Sequence, residues 1–255
     1  MRIVPIPAFR DNYIWALCAD GRCAVVDPGE AAPVIAFMER EGLSLAAILV
    51  THRHNDHVGG VLDLLARSPG VPVFGPAAEP IPGRAHALVD GDTVDLDSLG
   101  RYRVMDVPGH TEGHIAYVGE GALFCGDTLF AAGCGRLLGG TAPQLHASLA
   151  RLASLSGETR VYCAHEYTLS NLRFARTVEP DNPALLARQQ ACADLRERGL
   201  PTVPSTIDQE RATNPFLRSR QPAVRASAEN HAQAALEDDL AVFTALRAWK
   251  DNFQG

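Results

Sequence analysis

No window of this sequence is long and apolar enough to span a bilayer. Its first residues, Met-Arg-Ile-Val-Pro-Ile-Pro, lack the basic stretch, apolar run and small-residue cleavage site of a secretory signal. The expectation is a cytoplasmic protein without membrane association, with the reservation that a mature imported chain would read the same. Basic charge is not in excess either: 23 Lys and Arg stand against 30 Asp and Glu, a formal net charge of −7. That balance argues against a nucleic-acid partner, which usually meets a basic face, and leaves room for a local basic pocket. None of the six cysteines forms a C-x-x-C pair. In a chain this long they read as scattered, mostly buried thiols rather than a disulfide framework. Internal repeats and low-complexity tracts are missing as well.

What is present is enough apolar sequence, 46% of 255 residues, to bury a full core in one or two domains. Apolar runs at 14–19 and 22–26 flank Asp20-Gly21, a hairpin signal. Residues 31–41 have helical spacing and stop at Gly42. Residues 45–50 read as a buried strand, 51–57 as a loop and 58–67 as a helix. Further strands fit 71–74, 93–96, 102–107, 115–118, 122–125 and 159–163, with a helix at 143–155. After about His165 the strand signals vanish, and 169–177, 183–198 and 225–249 look helical. A mixed α/β domain, 1–165, followed by a smaller all-helical domain, 166–255, is the simplest division.

Thr51-His52-Arg53-His54-Asn55-Asp56-His57 places four potential metal ligands within six positions, directly after a buried strand. In an extended loop His52 and His54 point the same way, so both can face one ion. Asp56 and His57 can turn toward a second. Burying so many polar groups without a partner would be costly. Three more candidates each lie in a loop just past an apolar strand: His110 in P-G-H-T-E-G-H, Asp127 in C-G-D-T-L-F and His165 in C-A-H-E-Y. A carboxylate such as Asp127 can bridge two ions. His114 is either an orienting partner of a ligand or structural. His86, His146 and His231 have no motif around them. Asp27 is either a turn former before Pro28-Gly29 or a support for the ligand loop. Nitrogen and oxygen donors of this kind suit two divalent ions, zinc foremost, with iron or manganese as alternatives.

H-x-H-x-D-H with a later His, Asp and His resembles the metallo-β-lactamase superfamily. Within it, Asp11-Asn12-Tyr13, Val26-Asp27-Pro28-Gly29, G-D-T-L-F-A-A-G-C-G-R ending at Arg136, His165-Glu166-Tyr167, Asn214-Pro215-Phe216 and the closing R-x-x-K-D at 247–251 resemble the glyoxalase II (hydroxyacylglutathione hydrolase) family over nearly the whole chain. The resemblance implies an αββα sandwich followed by the helical domain. It implies that His52, His54 and His110 hold one ion, that Asp56, His57 and His165 hold the other, and that Asp127 bridges them. It further implies that Arg136, Tyr167, Arg247 and Lys250 contact glutathione. Arg247 and Lys250 have i, i+3 spacing and so share a helix face, either a solvated one or a clamp for a carboxylate. The implied reaction is hydrolysis of S-D-lactoylglutathione to D-lactate and glutathione by a hydroxide shared between two ions, with Asp56 orienting it. A monomer acting on this small molecule is expected.

Some relatives carry an aromatic residue where this chain has Leu138, a lysine at the position of Arg136, or a histidine at that of Arg53. Rival readings are a β-lactamase, which usually has cysteine in place of Asp127, a persulfide dioxygenase with one iron, a lactonase, an RNA phosphodiesterase, and a metal-stabilised binding protein without turnover.

Overall fold

The structure is a computed structural model and describes residues 1–254; the last residue of the expected helical domain, Gly255, lies outside the described residues. The chain forms two compact units, one of Met1–Val107 with Glu112–Gly126, the other of Pro108–Thr111 with the chain from Asp127 onward.

In the first unit, β1 (Arg2–Ala8), β2 (Asn12–Ala19), β3 (Arg22–Val26), β4 (Ser44–Leu49), β5 (Val73–Pro76) and β6 (His86–Leu88) form a six-stranded sheet in that order. The first three strands are antiparallel and the rest follow in parallel. The hairpin between β2 and β3 turns at Asp20 (φ 50°) and Gly21 (φ 71°), the two positive angles that a two-residue turn matched to strand twist needs. Helix α1 (Ala31–Glu41) buries Ala31, Val34, Phe37 and Met38, the stripe expected from 3.6-residue spacing. It shares an apolar core with Ile14, Val25, Ile48 and Leu64. Two short helices follow β4, α2 (Asn55–Val58) and α3 (Val61–Arg67). Strands β7 (Thr93–Asp95), β8 (Arg101–Asp106), β9 (Ile115–Gly119) and β10 (Ala122–Gly126) run antiparallel, each beside the next.

The second unit contains the small hairpin β11 (Leu129–Phe130) and β12 (Gly133–Cys134), then α4 (Ala142–Ala153) and β13 (Arg160–Cys163). Helices α5 (Thr168–Val178) and α6 (Pro183–Glu197) come next. The strand β14 (Ser205–Thr206) pairs with β13, and α7 (Ile207–Thr213), α8 (Pro222–Ala232) and α9 (Asp239–Asp251) complete the unit. Helix α4 opens with a reciprocal cap between Thr141 and Gln144.

Three expectations need correcting, and one strand was not expected. Residues 225–249 are not one helix: Gln233 adopts a left-handed φ of 52°, and Asp238 caps a new helix by accepting the Ala241 N–H. Residues 51–57 are not all loop, because Asp56 and His57 lie on the single turn α2. Strand β1 gave no strand signal because Pro5 and Pro7 interrupt it; it is an edge strand, where proline is tolerated. Strand pairing also persists past His165, in the two-residue β14. Among the described residues, no helix is long and apolar enough to cross a membrane.

The turn after β3 packs directly under α2. A Cβ on Gly29 would lie 1.9 Å from the Asp56 carbonyl oxygen, so the backbone tolerates no side chain there. Gly29→Ala is therefore expected to lower stability by about 3 kcal/mol, the scale of backbone-against-backbone overpacking. Urea unfolding checks this; an unchanged midpoint contradicts the close approach.

Candidate metal centre

In the first unit the donors sit just beyond the carboxyl end of β4, where a parallel sheet leaves its strand ends open for function. His52 is fully buried. Its Nε2 lies 3.0 Å from Nδ1 of His54, as the alternating directions of an extended loop require. Its ring centre is 4.1 Å from that of His57 and is stacked on His114 at 4.5 Å. Asp56 Oδ2 accepts a hydrogen bond from Asn12 Nδ2 at 3.1 Å and lies 3.5 Å from His57 Nε2.

Asp27 orders this group. Its left-handed φ of 54° turns the carboxylate back under the ligand loop. Oδ1 accepts the Thr51 N–H at 2.7 Å and Oδ2 accepts the Thr51 hydroxyl at 2.8 Å. His57 Nδ1 lies 3.1 Å from the same Oδ2. A carboxylate at that distance favours the tautomer with its proton on Nδ1, which leaves the Nε2 lone pair for a cation. Thr51 Oγ1 lies 3.0 Å from His52 Nδ1 and, because its own O–H donates to Asp27, is placed to accept a hydrogen bond from that ring nitrogen. His52 is thereby also left with Nε2 as donor. Asp27 is thus a support for the loop as well as a turn residue.

Sequence reasoning missed Glu79, a buried carboxylate. It accepts the Arg53 N–H at 2.6 Å and the Gly113 N–H at 3.1 Å, and so ties the ligand loop to the segment that carries His114. Both partners are main-chain groups far along the chain, so no spacing rule could reveal them.

In the second unit His110, Asp127 and His165 are all buried and meet one another. Asp127 Oδ2 lies 3.5 Å from His110 Nε2, and Oδ1 lies 3.4 Å from His165 Nε2. Each carboxylate oxygen thus faces a different imidazole, the arrangement a bridging ligand requires. His110 Nδ1 lies 2.8 Å from the Arg136 carbonyl, which fixes the proton there and frees Nε2.

The four residues expected to meet glutathione all lie in this unit. Tyr167, partly exposed, stacks on His165 with ring centres 4.7 Å apart and planes 4° from parallel. Arg136 is exposed, 3.7 Å from Asp251. Lys250 is half-buried, with its ammonium 3.4 Å from the Ser170 carbonyl and near the Phe174 and Phe253 rings. Burial, reinforced by Arg247, Arg173 and Arg136, pushes its pKa down to about 8. Arg247 is buried rather than solvated. It donates to the Cys134 carbonyl at 3.0 Å and to Asp251 at 2.9 Å, and it lies over the Phe216 ring. Cys125 and Cys163 are buried, and burial pushes the Cys163 thiol up to about 12, which keeps it protonated. His146 lies 3.6 Å from Asp239, and His231 stacks on Trp249, both outside the donor groups.

Each unit thus carries His and Asp donors of the kind that hold metal ions, His52, Asp56 and His57 in the first and His110, Asp127 and His165 in the second. Strands and donors together define a metallo-β-lactamase-type protein: residues 8–165 match the family model described as metallo-beta-lactamase superfamily. Residues 166–253 match the model described as hydroxyacylglutathione hydrolase C-terminus. The chain is 58% identical to the hydroxyacylglutathione hydrolase of Cupriavidus taiwanensis, over all of both chains. It is 57% identical to that of Alkalilimnicola ehrlichii, over 98% of each. The chain belongs to the hydroxyacylglutathione hydrolase family, a metallo-β-lactamase fold followed by a helical C-terminal domain. Among solved structures, ETHE1 from Myxococcus xanthus shares the fold, with a TM-score of 0.66 at 22% identity over 98% of each chain. The di-iron-bound form of TTHA1623 matches with a TM-score of 0.54 at 30% identity, over 65% of this chain and 92% of that one.

Removing Asp27 leaves the His57 and His52 tautomers unfixed. Asp27→Ala is expected to weaken metal affinity by roughly 10–100-fold, the usual effect of losing a partner that orients a ligand. Competition against a chromogenic chelator measures it, and wild-type affinity in the variant would remove Asp27 from the account.

Proposed function

We propose that this chain hydrolyses thioesters between glutathione and 2-hydroxy acids, with S-D-lactoylglutathione as substrate and D-lactate and glutathione as products. The observation that carries this reading is the match of residues 166–253 to the hydroxyacylglutathione hydrolase C-terminus, a segment that here bears Tyr167 and Lys250. This is the second step in clearing methylglyoxal. Glutathione is the thiol buffer of the reducing cytoplasm, so a cytoplasmic monomer acting on a soluble small molecule fits the same reading.

In this reading His52, His54 and His110 hold one divalent ion, Asp56, His57 and His165 hold a second, and Asp127 bridges them. The donors fit such ions: imidazole nitrogens and carboxylate oxygens, with Asp27 and the Arg136 carbonyl fixing the tautomers that leave Nε2 free to ligate. Zinc is the first candidate, and iron or manganese accept the same donors. When bound, such ions lower the pKa of water toward neutrality and polarise a carbonyl.

The residues around them do the rest. Asp56, steadied by Asn12, orients the attacking water. The departing glutathione sulfur needs no proton from the protein, because a thiolate with a pKa of roughly 8.5 is a good leaving group. Lys250 and Arg136 meet the glutathione carboxylates, and Tyr167 lines the approach beside His165. Arg247, spent on main-chain carbonyls, acts on substrate through the loop that carries Arg136.

Incubation of purified protein with S-D-lactoylglutathione, following thioester absorbance with and without a chelator, tests the reading. Chelator-sensitive loss of thioester is expected, and Asp127→Asn is expected to cut kcat severely. Absence of any such loss sinks the assignment.

Lys250 gives a pH signature. Its ammonium is charged below about 8 and neutral above, so the carboxylate contact weakens as pH rises through that value. KM is expected to climb above pH 8 in the wild type. In Lys250→Met it should be raised by about tenfold at neutral pH, the scale of one charged hydrogen bond, and flat with pH. A wild-type KM that stays level to pH 9 speaks against the contact.

A further inference from the structure

The three ligand candidates of the second unit converge on a single loop, residues 127–136. Asp127 opens it. The carbonyl of Arg136, at its far end, fixes His110 Nδ1 at 2.8 Å. In its middle, the Phe130 ring stands edge-on to His165 at 5.8 Å and to Tyr167 at 5.3 Å. A shift of this loop therefore moves all three candidates at once.

Part of the loop is the short hairpin of β11 and β12, and its turn is also held from outside. Ala132 sits at φ 56°, a left-handed conformation that is uncommon for a residue with a side chain. Around it stands a set of buried side chains from the helices, beside its apolar contacts with Leu172, Ala175 and Leu185. Glu210 on α7 accepts the Ala132 N–H at 2.8 Å. Asn214, just past α7, donates through Nδ2 to the Phe130 carbonyl at 3.2 Å and the Gly133 carbonyl at 2.9 Å. Asn171 on α5 donates to the Ala131 carbonyl at 3.1 Å. Glu210 is in turn paired at 2.6 Å with Arg188 on α6, with both side chains out of contact with solvent. Four consecutive main-chain positions, 130 to 133, are thus pinned by buried side chains of Asn171, Glu210 and Asn214.

We infer that Asn171, Glu210 and Asn214 are positioning residues for the metal ligands. The helical C-terminal segment, beyond any contact with glutathione, would set the geometry in which Asp127, His110 and His165 meet the ions. The inference rests on the ligand set proposed above. Buried amides satisfied by loop carbonyls act rigidly, since each lost bond leaves a buried carbonyl without its partner. A helical domain that only binds substrate has no need of such a network.

The test uses full-length apo protein titrated calorimetrically with zinc, alongside steady-state kinetics. Asn171→Ala deletes one pin and Asn214→Ala deletes two. Glu179→Gln, which breaks the Arg218–Glu179 pair elsewhere in the helices, serves as a control for general destabilisation. The expected result is that Asn171→Ala and Asn214→Ala weaken at least one ion by tenfold or more. Their kcat should fall by a similar factor while KM stays within twofold of wild type, and Glu179→Gln should keep wild-type zinc affinity. Should Asn214→Ala fail to fold, Asn171→Ala, with its single contact, carries the test. Wild-type affinity in the folded asparagine variants overturns the inference, and so does an equal loss in Glu179→Gln. If the wild type binds two zinc ions but leaves the thioester intact, the proposed reaction fails while the positioning role is still decided by the titration.

Discussion

Imidazole nitrogens held 3.0 Å apart, and a buried carboxylate between two rings, gather lone pairs and negative charge that a cation would satisfy. Much of the rest of the molecule serves that constraint. A parallel strand delivers the first cluster at its carboxyl end. Gly29 lets the main chain of α2 approach closely enough for Asp56 and His57 to lie beside His52. Asp27 and Glu79 then remove the freedom left to the loop, Asp27 through Thr51 and His57, Glu79 through main-chain N–H groups. Such preparation matters because ligands fixed in tautomer and direction lose little entropy when an ion arrives.

The second unit solves the same problem with different means. Its ligand candidates come from three separate segments, and one loop gathers them. The helices hold that loop through amide and carboxylate side chains as well as through the apolar packing of Ala132 against Leu172, Ala175 and Leu185. Arg247 shows the same economy: its guanidinium is divided between the Cys134 carbonyl, Asp251 and the Phe216 ring. On the proposed reading, the helical segment would support the metal ligands as well as offer a surface for substrate.

The strand-end histidines were legible because apolar runs mark strands and the ligand types cluster in short motifs. Core helices such as α1 were legible from their periodicity. The misses have physical reasons. Pro5 and Pro7 disguised β1, since proline weakens a strand signal even where an edge position tolerates it. The break between α8 and α9 depends on one left-handed residue, Gln233, and an Asp238 cap inside a helix-favouring stretch. Arg247 and Lys250 share a face by spacing, yet one is buried and the other half-exposed, because periodicity does not say what a face packs against. Glu79, Asn171 and Glu210 were invisible as functional residues. Their partners are backbone groups tens of residues away, and isolated polar residues carry no spacing signal. Asn214 was noticed only as part of a family motif, without the carbonyls it holds.

Metal content per chain tests the central claim most directly. Elemental analysis of well-folded protein, after removal of loosely held ions, should find two tightly bound divalent ions per polypeptide. A consistent value of one, whatever metal is supplied, would contradict an account built on a carboxylate that serves two cations.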